Sequence, residues 1–221
     1  MNDGMSSFTK KEYAMSVEYV KNYLGDVSAL AAKIQKEQSE ALNAAIEALF
    51  VAWRDGSAVF ILGNGGSAST ASHFAADLAK TVNDAPMAQG LRALTPWDNV
   101  PLISAIVNDR PKEDYFTAWL DTYYEQGGLG IGISVHGGSG TDHGGKWSQN
   151  LLKGLGYIKH RGGITIGLTG FDGGPMARMV NISIIVPADS TPLVESFHVV
   201  LHHLIAFGLK ERIGAERKKG G

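Results

Sequence analysis

The chain has 221 residues, 44% of them hydrophobic, enough to bury one sizeable core. Twenty Lys and Arg against 22 Asp and Glu leave a net charge of −2, which excludes a strongly basic nucleic-acid footprint. Cysteine is absent, which excludes disulfides, a thiolate metal site and a cysteine nucleophile.

The N-terminus, Met1 to Tyr13, carries Asp3, Lys10, Lys11 and Glu12 and has no apolar leader segment. No run approaches the roughly 18 apolar residues of a membrane helix, so the expected location is the cytoplasm, away from any membrane. From Lys10 to Trp53 the apolar residues recur at helical spacing: Met15, Tyr19, Tyr23 and Val27, then Leu30, Ile34, Ala41, Ala45, Ile46 and Leu49. The pattern predicts two helices broken near Gly25-Asp26, then a turn at Asp55-Gly56.

Five short apolar runs follow: Ala58 to Leu62, Pro101 to Val107, Leu129 to Val135, Gly163 to Thr169 and Ile182 to Pro187. Such runs suit strands buried on both faces of a parallel sheet. Helical patterns accompany them at Ser67 to Lys80, Asp114 to Tyr124, Lys146 to His160 and Thr191 to Glu211. The alternation predicts an α/β fold, a doubly wound sheet of about five parallel strands flanked by helices. It reads as a single domain: an N-terminal helical arm over 1–55, an α/β core over 56–212 and a polar, frayed tail over 213–221.

Glycine is in excess, at 28 residues or about 13% against an average near 7%. Gly63, Gly65 and Gly66 follow the first strand, a group from Gly127 to Gly145 surrounds the third, and Gly170, Gly173 and Gly174 follow the fourth. Ligands of open α/β sheets bind beyond the carboxyl ends of the strands. The segment Gly63-Asn64-Gly65-Gly66-Ser67 runs from strand into helix and offers amide and hydroxyl donors at a helix N-terminus, which favours an anion. Ser134-Val135-His136-Gly137-Gly138-Ser139 repeats the arrangement after the third strand. Neither loop has the spacing of a Walker A or a dinucleotide fingerprint, so together they suggest a small phosphorylated ligand. The plainer alternative is that Ser67 only caps its helix.

His73 and Asp77, at i and i+4, share one face of the helix that begins in the first glycine loop. On the last helix Glu195, His198, His202 and His203 are interleaved with apolar residues; Glu195 and His202, seven apart, are nearly cofacial. His203 lies roughly 80° from Glu195 around a 3.6-residue helix. Zinc accepts histidine and carboxylate ligands, so the two helices offer a metal or acid–base site. The alternative is that these histidines are packing residues.

The Gly63-Asn64-Gly65-Gly66-Ser67-Ala68 and His73-Phe74-Ala75-Ala76-Asp77-Leu78 segments closely resemble the hallmark of the phosphoheptose (sedoheptulose-7-phosphate) isomerases of the SIS, or sugar isomerase, superfamily. Val107-Asn108-Asp109, Leu168 to Gly174 and Glu195-x-x-His198 through His203 agree with it, so the resemblance covers nearly the whole chain. It implies an SIS-type fold and a homotetramer with active sites between subunits. It implies aldose–ketose isomerisation of a phosphorylated sugar, sedoheptulose 7-phosphate to a heptose 7-phosphate, through an enediol. Asp77 and His203 would be the proton-transfer pair, and His73, Asp77, Glu195 and His203 would hold zinc. Asn64, Gly65, Ser67, Asp109, Ser134, His136, Ser139, Asp172 and Glu195 would contact the sugar phosphate. The sequence departs from the family pattern in five places: Asp77 stands for a Glu, Glu195 for a Gln, His136 for a phosphate-loop serine, Thr81 for a basic residue one turn after Asp77 with Lys80 adjacent, and Gly140 to Gln149 looks inserted. These departures leave two other readings open, a longer sugar such as an octulose 8-phosphate and a non-catalytic adaptor that binds a replication protein.

Overall fold

The computed structural model describes residues 10–82, 90–138 and 147–219. The long helix α1 (Lys10–Arg54) leads into strand β1 (Val59–Gly63) and helix α2 (Gly66–Ala76). The short strand β2 (Ala93–Leu94), helices α3 (Val100–Asp109) and α4 (Tyr115–Tyr123) and strand β3 (Leu129–Ile133) follow. Helix α5 (Gln149–His160), strand β4 (Thr165–Gly170), helix α6 (Gly174–Met179), strand β5 (Ile182–Val186) and helix α7 (Thr191–Lys219) complete the chain.

The five strands are parallel, in the order β2-β1-β3-β4-β5. Every residue of β1, β3 and β4 is buried, as strands covered on both faces require. One face of the sheet packs on α1, α2 and α7, through Leu30, Leu49, Phe74, Leu78, Leu201 and Ile205 among others. The other packs on α3, α4 and α5, around Phe60, Phe116, Leu120, Leu151 and Leu155. The α/β class, the parallel sheet and the helical arm agree with the sequence reading.

Several elements differ from that reading. Pro101 to Val107 is helix, not strand. Asn99 caps it by accepting the Leu102 N–H at 3.1 Å, and Pro101 suits the first turn, where its missing N–H is not needed. The second strand is instead Ala93–Leu94, too short to carry a periodic signal. Helix α1 runs through Gly25-Asp26 without a break. A glycine in a helix interior costs roughly 1 kcal/mol relative to alanine, and the packing of Leu30, Ile34, Leu42 and Leu49 on the core outweighs it. Helix α7 extends to Lys219, so most of the segment read as a frayed tail is helical. Arg212 ties that end down, donating to Glu47 on α1 and to Glu216. This helix is also long and apolar enough for a membrane span by composition alone, which a count of contiguous apolar residues passes over. Its apolar face is core: Leu193, Val194, Phe197, Leu201, Ile205 and Leu209 are buried against the sheet layer.

Part of the glycine excess is packing rather than site. A Cβ on Gly130 or Gly132 would lie 2.7 Å or 2.6 Å from side chains of α5, so these glycines let that helix approach β3 closely. Gly137 and Gly174 both have positive φ and bring the loops after β3 and β4 into backbone contact.

Candidate active site

In this strand order the connections leave β1 and β3 toward opposite faces, and a crevice opens beyond their carboxyl ends. The two glycine loops meet there. A cavity of about 150 Å³ is lined by Asn64 and Ser67 from the first loop, Ser134 and His136 from the second, Trp147 and Ser148 before α5, and Glu195 from α7. Ser67 is buried and lies inside α2; the N-cap position belongs to Gly65, at φ 55°, with no side-chain cap bond. Ser67 is therefore not merely a helix cap. It lines the cavity at the N-terminus of α2, where the helix dipole favours an anion.

Asn64 is held on every side. Its Oδ1 accepts from the Tyr115 hydroxyl and from Asn150 Nδ2, and its Nδ2 donates to Asn150 Oδ1 at 3.1 Å and to Ser148 Oγ at 3.4 Å. Burial raises the Tyr115 phenol to about 12, so it stays a neutral donor. Trp97 adds a bond from Nε1 to the Gly63 carbonyl at 2.8 Å. The network fastens the first loop to α4 and α5. His136 does not stand alone in the second loop: its ring lies 4.4 Å from Phe171 and 5.4 Å from Trp147, centroid to centroid.

The second feature lies where α2 meets α7. The helix widens into a π-turn over Asp77–Thr81, closed by the Val82 N–H on the Asp77 carbonyl at 3.4 Å; such turns recur at functional sites. Oδ1 of Asp77 accepts from Thr81 Oγ1 at 3.2 Å. Oδ2 is buried, accepts no hydrogen bond among the described residues, and lies 3.8 Å from His73 Nε2, 3.6 Å from His202 Nδ1 and 3.5 Å from His203 Nε2. The His73 and His203 Nε2 atoms are 3.4 Å apart. Ligand atoms of His73, Asp77, His202 and His203 all fall within 4.8 Å of one another. Two facing imidazole nitrogens, a bare carboxylate oxygen and a buried unpartnered histidine form a donor set that suits a divalent cation such as zinc. Burial, with the neighbouring His203 and His73, pushes His202 down to about 4 against the opposing pull of Asp77, so its ring is neutral at pH 7. Burial also drives His198 down to about 4.

The structure thus brings His73, Asp77 and His203 together, and joins Asn64, Ser67, Ser134, His136 and Glu195 around the crevice. Glu195 is not in the His–Asp cluster. Its Oε1 would lie 2.8 Å from a Cβ on Gly66, over the start of α2. Asp109 is exposed at the end of α3, where its Oδ1 accepts from Asn108. Asp172 accepts the Gly174 N–H at 3.1 Å and so shapes the turn before α6. Ser139 and residues 140–146 lie outside the described residues. Sequence reasoning singled out His202 without giving it a role; its cofacial spacing with Glu195 pairs it with a residue that lies over Gly66, apart from the cluster. It had no signal for Tyr115 or Asn150, whose roles depend on chain segments meeting in space; Thr81, four residues after Asp77, stood out only as a departure from the family's basic residue.

The SIS domain family model matches residues 22–140. The chain is 37% identical over 205 residues to the lincomycin biosynthesis protein LmbN of Streptomyces lincolnensis, covering 91% of this chain and 71% of that protein. It is 32% identical over 202 residues to the phosphoheptose isomerase of Geotalea daltonii, covering 91% of this chain and all of that one. The fold is that of the phosphoheptose isomerase of Neisseria gonorrhoeae, with a TM-score of 0.76 at 24% identity over 88% of this chain and 98% of that one. With the glycine loops at the sheet's crevice and the His–Asp cluster where α2 meets α7, these similarities place the chain in the SIS domain family, among the phosphoheptose isomerases.

Proposed function

We propose that the protein interconverts the ketose and aldose forms of a phosphorylated sugar, sedoheptulose 7-phosphate and a heptose 7-phosphate, through an enediol. The observation that carries this reading is the Asp77–His203 pair: a carboxylate oxygen without a hydrogen bond among the described residues, 3.5 Å from an imidazole nitrogen where α2 meets α7. Asp77 is the base that removes the proton from the carbon beside the carbonyl. The C–H electrons become the C=C bond of the enediol, and the carbonyl oxygen gains a proton from His203. Return of a proton to the neighbouring carbon, with loss of the other hydroxyl proton, moves the carbonyl by one carbon with no net redox change. Each positioned acid or base is worth about 10²–10⁴-fold. Ser67, Ser134 and the α2 N-terminus hold the phosphate and so position the sugar. His73, Asp77 and His203 would hold zinc, which would supply polarisation of the sugar oxygens; with Asp77 Oδ2 and His203 Nε2 as ligands, the proton transfers would fall to Asp77 Oδ1 and His203 Nδ1.

The catalytic unit of this reading is a homotetramer with sites between subunits. Val200, Leu204 and Phe207 support assembly: they form an exposed apolar stripe on α7, beside His203.

A second reading keeps the chemistry and lengthens the substrate to an eight-carbon ketose phosphate. Beside the serine cavity lies a second cavity of about 700 Å³, lined by Asn64, Trp97, Tyr115, Trp147 and others. The relative named for lincomycin biosynthesis, rather than for phosphoheptose, is consistent with a different sugar. Turnover of seven- and eight-carbon ketose phosphates with added zinc tests both readings. The ratio of kcat/KM values chooses between them, and no turnover of either would sink the enzyme reading. Asp77→Asn is expected to lose at least 100-fold in kcat; full retention would remove Asp77 as base.

A further inference from the structure

We infer that His202 is a metal ligand of this protein and that Glu195 is not. The inference rests on the metal-assisted part of the proposed function, and it assigns a residue that the resemblance to the phosphoheptose isomerases leaves without a role.

Three observations carry it. The first is convergence. Two atoms bound to one zinc at about 2.0–2.1 Å with tetrahedral angles stand about 3.3–3.4 Å apart. Four of the six edges are 3.4 Å for His73–His203, 3.5 Å for Asp77–His203, 3.6 Å for Asp77–His202 and 3.8 Å for His73–Asp77, and the two from His202 to the other histidines fall within 4.8 Å. A contraction of a few tenths of an ångström closes His73, Asp77 and His203 on one ion, and a shift of His202 of up to about an ångström toward the other two histidines brings in the fourth ligand.

The second is that His202 has nothing else to do. Its side chain is fully buried, and neither ring nitrogen has a hydrogen-bond partner among the described residues. A buried polar group left unpaired costs about 1–3 kcal/mol. A cation at the cluster would satisfy Nδ1 and Asp77 Oδ2 together. The ring is also held in place, 4.7 Å from His73, 4.1 Å from His203 and 5.4 Å from Phe74 between centroids, so its aim is set by packing.

The third is the position of Glu195. Its carboxylate lies over Gly66 and lines the serine cavity, where the positive end of α2 favours it. With His202 supplying the fourth ligand, Glu195 faces the substrate cavity instead.

The test is a zinc titration of the metal-free full-length protein against a chromophoric chelator, with long-range ¹H–¹⁵N spectra of the histidine rings. His202→Phe is expected to weaken zinc binding 10- to 100-fold, and Glu195→Gln to change it less than twofold. Should His202→Phe not fold, the wild-type spectra decide: three histidine rings shift on zinc binding if His202 coordinates, two if it does not. Two shifting rings, a tenfold loss in Glu195→Gln, or no zinc binding would each overturn the inference. The isomerase reading fails separately, when zinc-loaded wild-type protein turns over no sugar phosphate.

Discussion

The Thr81 hydroxyl donates to Oδ1 of Asp77 at 3.2 Å, and the other carboxylate oxygen is thereby turned toward three histidines. The two residues are the first and last of the π-turn where α2 meets α7, and their i, i+4 spacing sets the side chains on one face.

Removing that hydroxyl frees the carboxylate to rotate. Residues that orient metal ligands are typically worth 10- to 100-fold in affinity. Thr81→Val should weaken zinc binding at least tenfold while keeping the fold, and Thr81→Ser should restore it. A chelator competition measures both, and equal affinities for all three proteins would rule out the orienting role.

The buried His198 makes stability depend on pH. Its folded value of about 4 lies below the ordinary 6.5, so the unfolded chain binds the proton more readily. The stability this contributes is present above pH 6.5 and is lost as pH falls toward 4. At about 1.4 kcal/mol per unit of depression, the loss amounts to a few kcal/mol. Urea unfolding of the metal-free protein at several pH values should show it, and His198→Phe should make the dependence shallower, the remainder coming from His202, which burial also holds down to about 4. An equally steep curve in that variant would assign the loss to other groups.

The Asn64 amide is saturated by Tyr115, Asn150 and Ser148. Replacing it leaves buried partners unpaired, at about 1–3 kcal/mol. Asn64→Leu is expected to lower stability by that amount and to raise KM, because the first glycine loop loses its tie to α5. Tyr115→Phe should show a smaller effect in the same direction. Chemical denaturation with steady-state kinetics checks both; a change in KM with unaltered stability would instead indicate direct contact with substrate.

The α7 stripe of Val200, Leu204 and Phe207 is apolar and exposed. Phe207→Glu places a charge within any interface built on it. Sedimentation velocity should show the wild type as a tetramer and the variant shifted to smaller species. A wild-type monomer would overturn the proposed assembly.

Much of this protein is legible in its residue order. Fully buried runs such as Val59–Gly63 and Leu129–Ile133 announce a parallel sheet because both faces must be apolar. The i, i+4 spacing of His73 and Asp77 is local, so helical geometry alone puts them on one face. Tertiary structure decided what local rules leave open. Pro101 to Val107 is composed like a strand, yet the Asn99 cap and packing against α4 make it a helix. Helix α1 stays continuous through Gly25 because a long packed face outweighs one unfavourable residue. The membership of the His–Asp cluster depends on how α7 rotates against α2. Adjacent residues point about 100° apart on a helix, so a small rotation decides whether His202, His203 or both meet Asp77. Here both do, because burying Leu201 and Ile205 against the sheet layer sets α7 at that angle.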